Sequence, residues 1–167
     1  MESGFSLGSN LGDRLENLRA ARARLLALPG VRLLATAPVY ETEPVGVKAE
    51  FRHLAFLNTV LIFEGALPPA EWRRVTAQIE DDLGRVRSAD KFAPRTLDID
   101  VLFVGNHCVE AGGLIIPHPR WMQRRFVLQP LADVRPDLIL PGATQTVFQT
   151  LENLPPGEAV QKFCDAW

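Results

Sequence analysis

Two segments of helical period sit among short runs of strand period, in the order strand, helix, strand, strand, helix, strand. That order predicts an α+β fold with a mostly antiparallel sheet and both helices packed on one face, the ferredoxin-like arrangement. Length and composition hold it to a single domain over residues 1–167. The chain's 167 residues suffice for one sizeable core, and 47% hydrophobic with 23% charged residues is ordinary globular composition. Neither Pro68-Pro69 nor Pro155-Pro156 opens a linker long enough to separate two units.

The first strand is expected at residues 5–7, running into the turn-forming Gly8-Ser-Asn-Leu-Gly12. Asp13 then suits a helix N-cap, with Glu16 three residues on. Leu15, Leu18, Ala21, Leu25 and Leu28 recur at helical spacing until Pro29-Gly30 stops the pattern. Residues 31–40 are rich in Val, Leu and Thr and read as a strand, followed by a loop, Glu41-Thr-Glu-Pro-Val-Gly46 onward, that is long for a connector. In the next strand, 56–63, Phe56, Asn58, Val60 and Ile62 share one face and Leu57, Thr59, Leu61 and Phe63 the other. Pro68-Pro69 opens the second helix, whose buried stripe is Trp72, Val75, Ile79 and Leu83, and Gly84 closes it. A strand over 96–104 turns at Gly105-Asn106, a short strand lies near 114–116, and weaker helical patterns cover 121–128 and 146–154.

A net charge of −2 supplies no overall attraction to nucleic acid or anionic lipid, so neither is an expected partner. No apolar run reaches the roughly 20 residues of a membrane span, and the N-terminus lacks a basic stretch leading into an apolar one. A cytoplasmic monomer is the expectation. Cys108 and Cys164 lie far apart and are expected to be free thiols.

The sharpest local feature is Lys91-Phe-Ala-Pro-Arg-Thr-Leu-Asp-Ile-Asp-Val-Leu102, which puts Asp98 and Asp100 on one face of a predicted strand. Two such carboxylates without a counter-charge would have raised pKa values, so a positive partner is required. A metal ion answers that need; a solvent-facing strand that happens to be acidic is the plainer alternative. The opposite face, Leu97, Ile99, Val101 and Phe103, would anchor the strand. Around the pair gather Arg85, Arg87, Lys91 and Arg95 on one side and His118, Arg120, Arg124 and Arg125 on the other. Interleaved carboxylates and guanidiniums suit a metal-bound polyphosphate, because Mg²⁺ takes one or two carboxylates and completes its shell with phosphate oxygens and water. Surface ion pairing is the competing account. With no G-x-x-x-x-G-K-[ST] and no G-x-G-x-x-G, side chains and metal must hold any nucleotide. Phe56 and Asn58 place an aromatic surface beside an amide, a combination for a flat hydrogen-bonding ring, and Phe126 could supply a second surface.

These segments resemble the 6-hydroxymethyl-7,8-dihydropterin pyrophosphokinase family from near the start of the chain to about Leu154. The matching pieces are Leu7-Gly-Ser-Asn-Leu-Gly12, Val39-Tyr-Glu-Thr-Glu-Pro-Val-Gly46, Phe56-Leu-Asn58, Gly84-Arg-Val-Arg87, the 91–102 segment, and Pro117-His-Pro-Arg120 followed by Phe126-Val-Leu and Pro130-Leu131. The resemblance implies transfer of diphosphate from ATP to the pterin hydroxymethyl group in folate biosynthesis, with AMP released. It implies two Mg²⁺ on Asp98 and Asp100, and contacts from Arg85, Arg87, Lys91, Arg95, His118 and Arg124 to the nucleotide, Arg85 and Arg95 being catalytic. The pterin would lie between Phe56 and Phe126 and be read by Asn58 and the stretch containing Thr42, Glu43 and Val45. Loop closure over 84–93 would bring Arg87 and Lys91 to the leaving AMP. Phe92, Ala93 and Arg125 depart from the common family pattern. So does the polar Ser6, and the unfamiliar residues before it leave that end open to fraying. An RNA-binding module shares this element order, but the acidic pair would repel RNA and no RNP-like motif is present. A nuclease or a kinase moving only the γ-phosphate is separated by its products.

Overall fold

The computed structural model describes residues 1–44, 48–86, 93–157 and 159–167. Chain order is β1 (Glu2–Ser9), α1 (Arg14–Leu26), β2 (Arg32–Thr36), β3 (Val39–Thr42), β4 (Phe56–Glu64), α2 (Pro69–Asp82), β5 (Asp98–Val104), β6 (Val109–Ala111), β7 (Leu114–Ile116), α3 (Arg125–Val134), α4 (Val147–Glu152) and β8 (Val160–Cys164). Among the described residues one antiparallel sheet runs β5-β1-β4-β3-β8, β2 pairs with the other half of β4, and β6 and β7 form a separate hairpin.

β2 and β3 are the two halves of the strand expected at 31–40. Both lie against β4, Arg32 to Thr36 opposite Glu64 to Leu61 and Tyr40 to Thr42 opposite Asn58 to Phe56. They separate at Ala37-Pro38 because Pro38 has no N–H for the ladder. The Thr59 hydroxyl lies 3.0 and 3.1 Å from the carbonyls of Ala37 and Pro38 and donates there instead. Counted as one strand, β2–β3 completes the ferredoxin-like order, and β8 is added at its edge.

The first core lies between α1, α2 and one sheet face. Leu18, Ala21 and Leu25 of α1 and Trp72, Val75 and Ile79 of α2 meet Phe5, Leu7, Leu57, Leu61, Phe63, Ile99 and Val101. Asp13 caps α1 as expected, accepting from Glu16 N at 3.1 Å. α1 and α2 thus share one face as expected, and the helical tail adds a second layer. α3 and α4 cover the opposite face, where Val127, Leu128, Leu131, Val147 and Leu151 pack on Val60, Ile62, Leu102 and Phe103. The alternation of β4 made this necessary: Val60 and Ile62 are fully buried, and leaving each in water would forgo roughly 1.5–3 kcal/mol.

A correction concerns Phe103, expected beside Ile99 and Val101. The pairing runs Phe5 opposite Val101 but Gly4 opposite Phe103, so Leu102 is an extra residue and β5 bulges there. Beyond the bulge Phe103 faces the second core, into space that Gly4 leaves; a Cβ on Gly4 would stand 2.2 Å from its ring. The N-terminus is not frayed either. The Met1 ammonium donates to Gly65 O at 2.8 Å, and Ser3 is fully buried.

Candidate active site

On β5, Ile99 and Val101 turn toward the first core, so Asp98 and Asp100 share the opposite face of the sheet. Phe56 and Asn58 share that same face on β4. Strand register sets the two groups side by side: Gly8 is paired with Asp98 on one flank and with Asn58 on the other. The carboxylate and the amide are therefore two strand spacings apart, about 10 Å. A Cβ on Gly8 would come 3.0 Å from Asn58 Oδ1 and 3.7 Å from the Phe56 ring, so the glycine keeps that interval open.

Each carboxylate has its own cations. Asp98 accepts from Arg85 at 2.6 Å and pairs with Arg95 at 3.0 Å. Asp100 accepts from Arg124 at 3.1 Å and lies 3.6 Å from His118 Nε2. Two of these guanidiniums also face the aromatics, Arg95 5.4 Å from the centre of Phe56 and Arg124 5.5 Å from that of Phe126. Arg95 and Arg124 thus join the acidic half of the site to the aromatic half. Burial opposes the Arg85 charge, but Asp98 and Glu80 outweigh it and hold its pKa above the usual arginine value. For His118 burial prevails; with Arg124 and Arg120 adding to it, the pKa falls below the ordinary histidine value despite Asp100. Its Nδ1 accepts from Arg120 N at 3.2 Å, which leaves Nε2 to carry the proton toward Asp100. The imidazole is placed by its own backbone, whose N–H donates to the carbonyl of the bulged Leu102 at 2.8 Å.

Three residues that sequence reasoning passed over complete the frame. Glu80, only 6% exposed, accepts from Ile99 N at 2.7 Å and from Arg85, and so pins the backbone between the two aspartates. It lies one turn beyond Thr76 at the border of the α2 stripe, and an acid on that border was the available signal. Asn10, in the flagged Gly8–Gly12 turn, accepts from Arg95 N at 2.8 Å through its side chain and donates from its backbone to Arg95 O at 3.2 Å. The third is Gly8. Beside Phe56, Asn58 donates to the Thr42 hydroxyl at 2.8 Å and both are buried, whereas Glu43 lies exposed past the end of β3. Val45, Arg87 and Lys91 fall outside the described residues.

A cleft of about 320 Å³ opens over the pair, lined by Thr76, Ala77 and Glu80 of α2, by Arg85, Asp98 and Asp100, and by Leu114, Ile115 and His118. Among the described residues no three His, Cys, Asp or Glu side chains are grouped to hold a metal unaided. Two carboxylates at a cleft floor instead fit Mg²⁺ that brings phosphate oxygens with it.

A carboxylate pair faced by guanidiniums on this sheet is the equipment of an enzyme that handles polyphosphate. A model of the 7,8-dihydro-6-hydroxymethylpterin-pyrophosphokinase family matches residues 4–136. The chain belongs to that family, a family of diphosphotransferases. It is 41% identical over 130 residues to the 2-amino-4-hydroxy-6-hydroxymethyldihydropteridine pyrophosphokinase of Bacillus subtilis, covering 78% of this chain and 75% of that one. With the Pseudomonas aeruginosa protein of the same name it shares 36% over 157 residues, covering 90% and 94%. It is also 36% identical over 151 residues to the folic acid synthesis protein fol1 of Schizosaccharomyces pombe, and there 90% of this chain spans only 20% of the relative. The crystal structure of wild-type Plasmodium falciparum HPPK-DHPS with pteroate superposes with a TM-score of 0.69 at 14% identity, over 90% of this chain and 42% of that one. At that identity the likeness is one of fold.

Proposed function

We propose that this chain transfers diphosphate from ATP to 6-hydroxymethyl-7,8-dihydropterin in folate biosynthesis. The observation that carries this reading is the register Asp98–Gly8–Asn58. It sets a phosphate-binding pair and a ring-reading amide on one sheet face, at a separation that a bicyclic ring with a one-carbon arm and a phosphate can bridge. Phe56 and Phe126 stack on the ring, and Asn58, supported by Thr42, reads its edge with help from the 43–45 stretch. Asp98 and Asp100 would hold Mg²⁺, two ions on this reading, which when bound neutralises charge on the phosphate oxygens and orients them.

Arg85, Arg95 and Arg124 pair with the two carboxylates. On binding they turn to the phosphate oxygens, together with His118 and, from outside the described residues, Arg87 and Lys91. The hydroxyl oxygen attacks the β-phosphorus and loses its proton to water. The bond from that phosphorus to the oxygen bridging the α-phosphate breaks, and AMP leaves with this oxygen. Arg85 and Arg95 stabilise the charge that develops, while the desolvated cleft strengthens each interaction. Incubation with Mg-ATP and the reduced pterin is expected to give AMP and pterin diphosphate, with none formed in EDTA. Production of ADP, or no pterin product, overturns the reading. A cytoplasmic location and a monomeric state belong to the same proposal. Among the described residues no helix is long and apolar enough to cross a membrane, and light scattering tests the mass in solution.

A further inference from the structure

Position 73 lies one turn before Ala77 and two before Glu80 on α2, so the helix turns Arg73, Ala77 and Glu80 toward the cleft in one stripe. Glu80 stands at the inner end, beside Arg85 and Asp98. Arg73 stands at the outer end and reaches across it, its Nη1 3.4 Å from the carbonyl of Gly113. That carbonyl belongs to the β6–β7 turn, where Gly112 and Gly113 both have positive φ, 57° and 76°, as a two-residue hairpin turn requires. The turn offers no side chain. Of the other described lining residues at this end, Ala77, Leu114 and Ile115 are apolar, so Arg73 is the charged side chain among them. If the polyphosphate tail occupies the inner end, the nucleoside extends toward this one.

We propose that Arg73 is a nucleotide-specificity residue of this chain, which leaves the Gly113 carbonyl to bind the nucleoside half of the co-substrate. A guanidinium is suited to this on two counts. Its fixed fork of donors can serve ribose hydroxyls and base acceptors, and its flat face stacks on an aromatic base. The exposed Arg73 supports no core packing, so substitution leaves the fold intact.

The inference rests on the pyrophosphokinase reading, and AMP production by the wild-type chain tests that reading separately. For Arg73 itself, calorimetric titrations of the wild type, Arg73→Met and Arg73→Lys with a non-hydrolysable Mg-ATP analogue, with AMP and with magnesium tripolyphosphate decide the matter. Both variants are expected to bind the ATP analogue and AMP about tenfold more weakly, the scale of a charged hydrogen bond with partial stacking. Tripolyphosphate affinity, kcat and pterin KM should stay at wild-type values. Unchanged nucleotide affinity, or an equal loss for tripolyphosphate, overturns the proposal. So does Arg73→Lys matching the wild type, since positive charge alone would then suffice.

Discussion

Asp98 and Asp100 occupy the same face of one strand but are balanced differently. Asp98 sits between two guanidiniums, whereas Asp100 has one guanidinium and an imidazole whose pKa is lowered. Asp98→Asn and Asp100→Asn should each lower turnover by several powers of ten, because the charge-neutralising site for metal and phosphate is lost. Their stabilities should part. Asp98→Asn removes the carboxylate shared by Arg85 and Arg95, so its free energy of unfolding in denaturant is expected to be about 1 kcal/mol lower than that of Asp100→Asn, a modest figure because both sites are partly exposed. Near-wild-type turnover would remove that residue from the site. Gly8→Ala is expected to act on the other half. Its methyl group would press on the Asn58 amide, raising pterin KM about tenfold while Mg-ATP KM holds; one displaced hydrogen bond is worth roughly 1–1.5 kcal/mol. Equal pterin KM would show that the interval at Gly8 is not used. The acidic pair and its cations were legible because charge and a two-residue period are properties of a string. Gly8 was not, since its contribution is a vacant volume between two strands distant in sequence.

Among the elements, β5 concentrates the chemistry because it lies at the end of the strand order, where β1 is its one partner among the described residues. The Ile99 N–H finds its acceptor in Glu80, so helix α2 fixes the strand that carries the aspartates. Glu80→Gln keeps an acceptor for Ile99 but removes the charge facing Arg85, and a drop in kcat of about tenfold is expected with little change in melting temperature. Glu80→Ala also strands the amide and should cost a further 1–3 kcal/mol of stability, approximately the desolvation of an unpaired group. A Gln variant with wild-type kcat would reduce Glu80 to a packing residue. Element existence was largely readable in the sequence, since α1, α2 and β4 carry strong periods. The Ala37-Pro38 break was signalled by its proline but hidden within a run of β-formers. β8 escaped because Val160–Cys164 is short and mostly exposed, and it gains strand form only by pairing with β3.

At the scale of the whole molecule, Tyr40 ties the sheet to the helices of the second core beside Asn58. Its phenol, on β3 directly opposite Asn58, donates to Asp133 of α3 at 2.6 Å. Burial raises the phenol pKa well above the ordinary tyrosine value, and the hydrogen bond to the Asp133 carboxylate adds to this. The sign of the consequence is fixed. Below about pH 10 the phenol is protonated in both folded and unfolded chains, and the contribution is fully present. Above that, the unfolded chain releases the proton while the folded chain retains it, so stability falls by up to about 1.4 kcal/mol per pH unit until the folded phenol also ionises. Tyr40 is the chain's single tyrosine, which makes the event directly visible as tyrosinate absorbance near 295 nm. The native protein should show no such absorbance as pH passes 10, then gain it together with loss of tertiary structure, while the chain in denaturant titrates near 10. Tyr40→Phe should have a shallower decline in stability across the same alkaline range. Reversible ionisation of Tyr40 near pH 10 with the fold intact would mean that the link between β3 and α3 is open to water, and that the end of the sheet carrying Asn58 is not held in place by the second core.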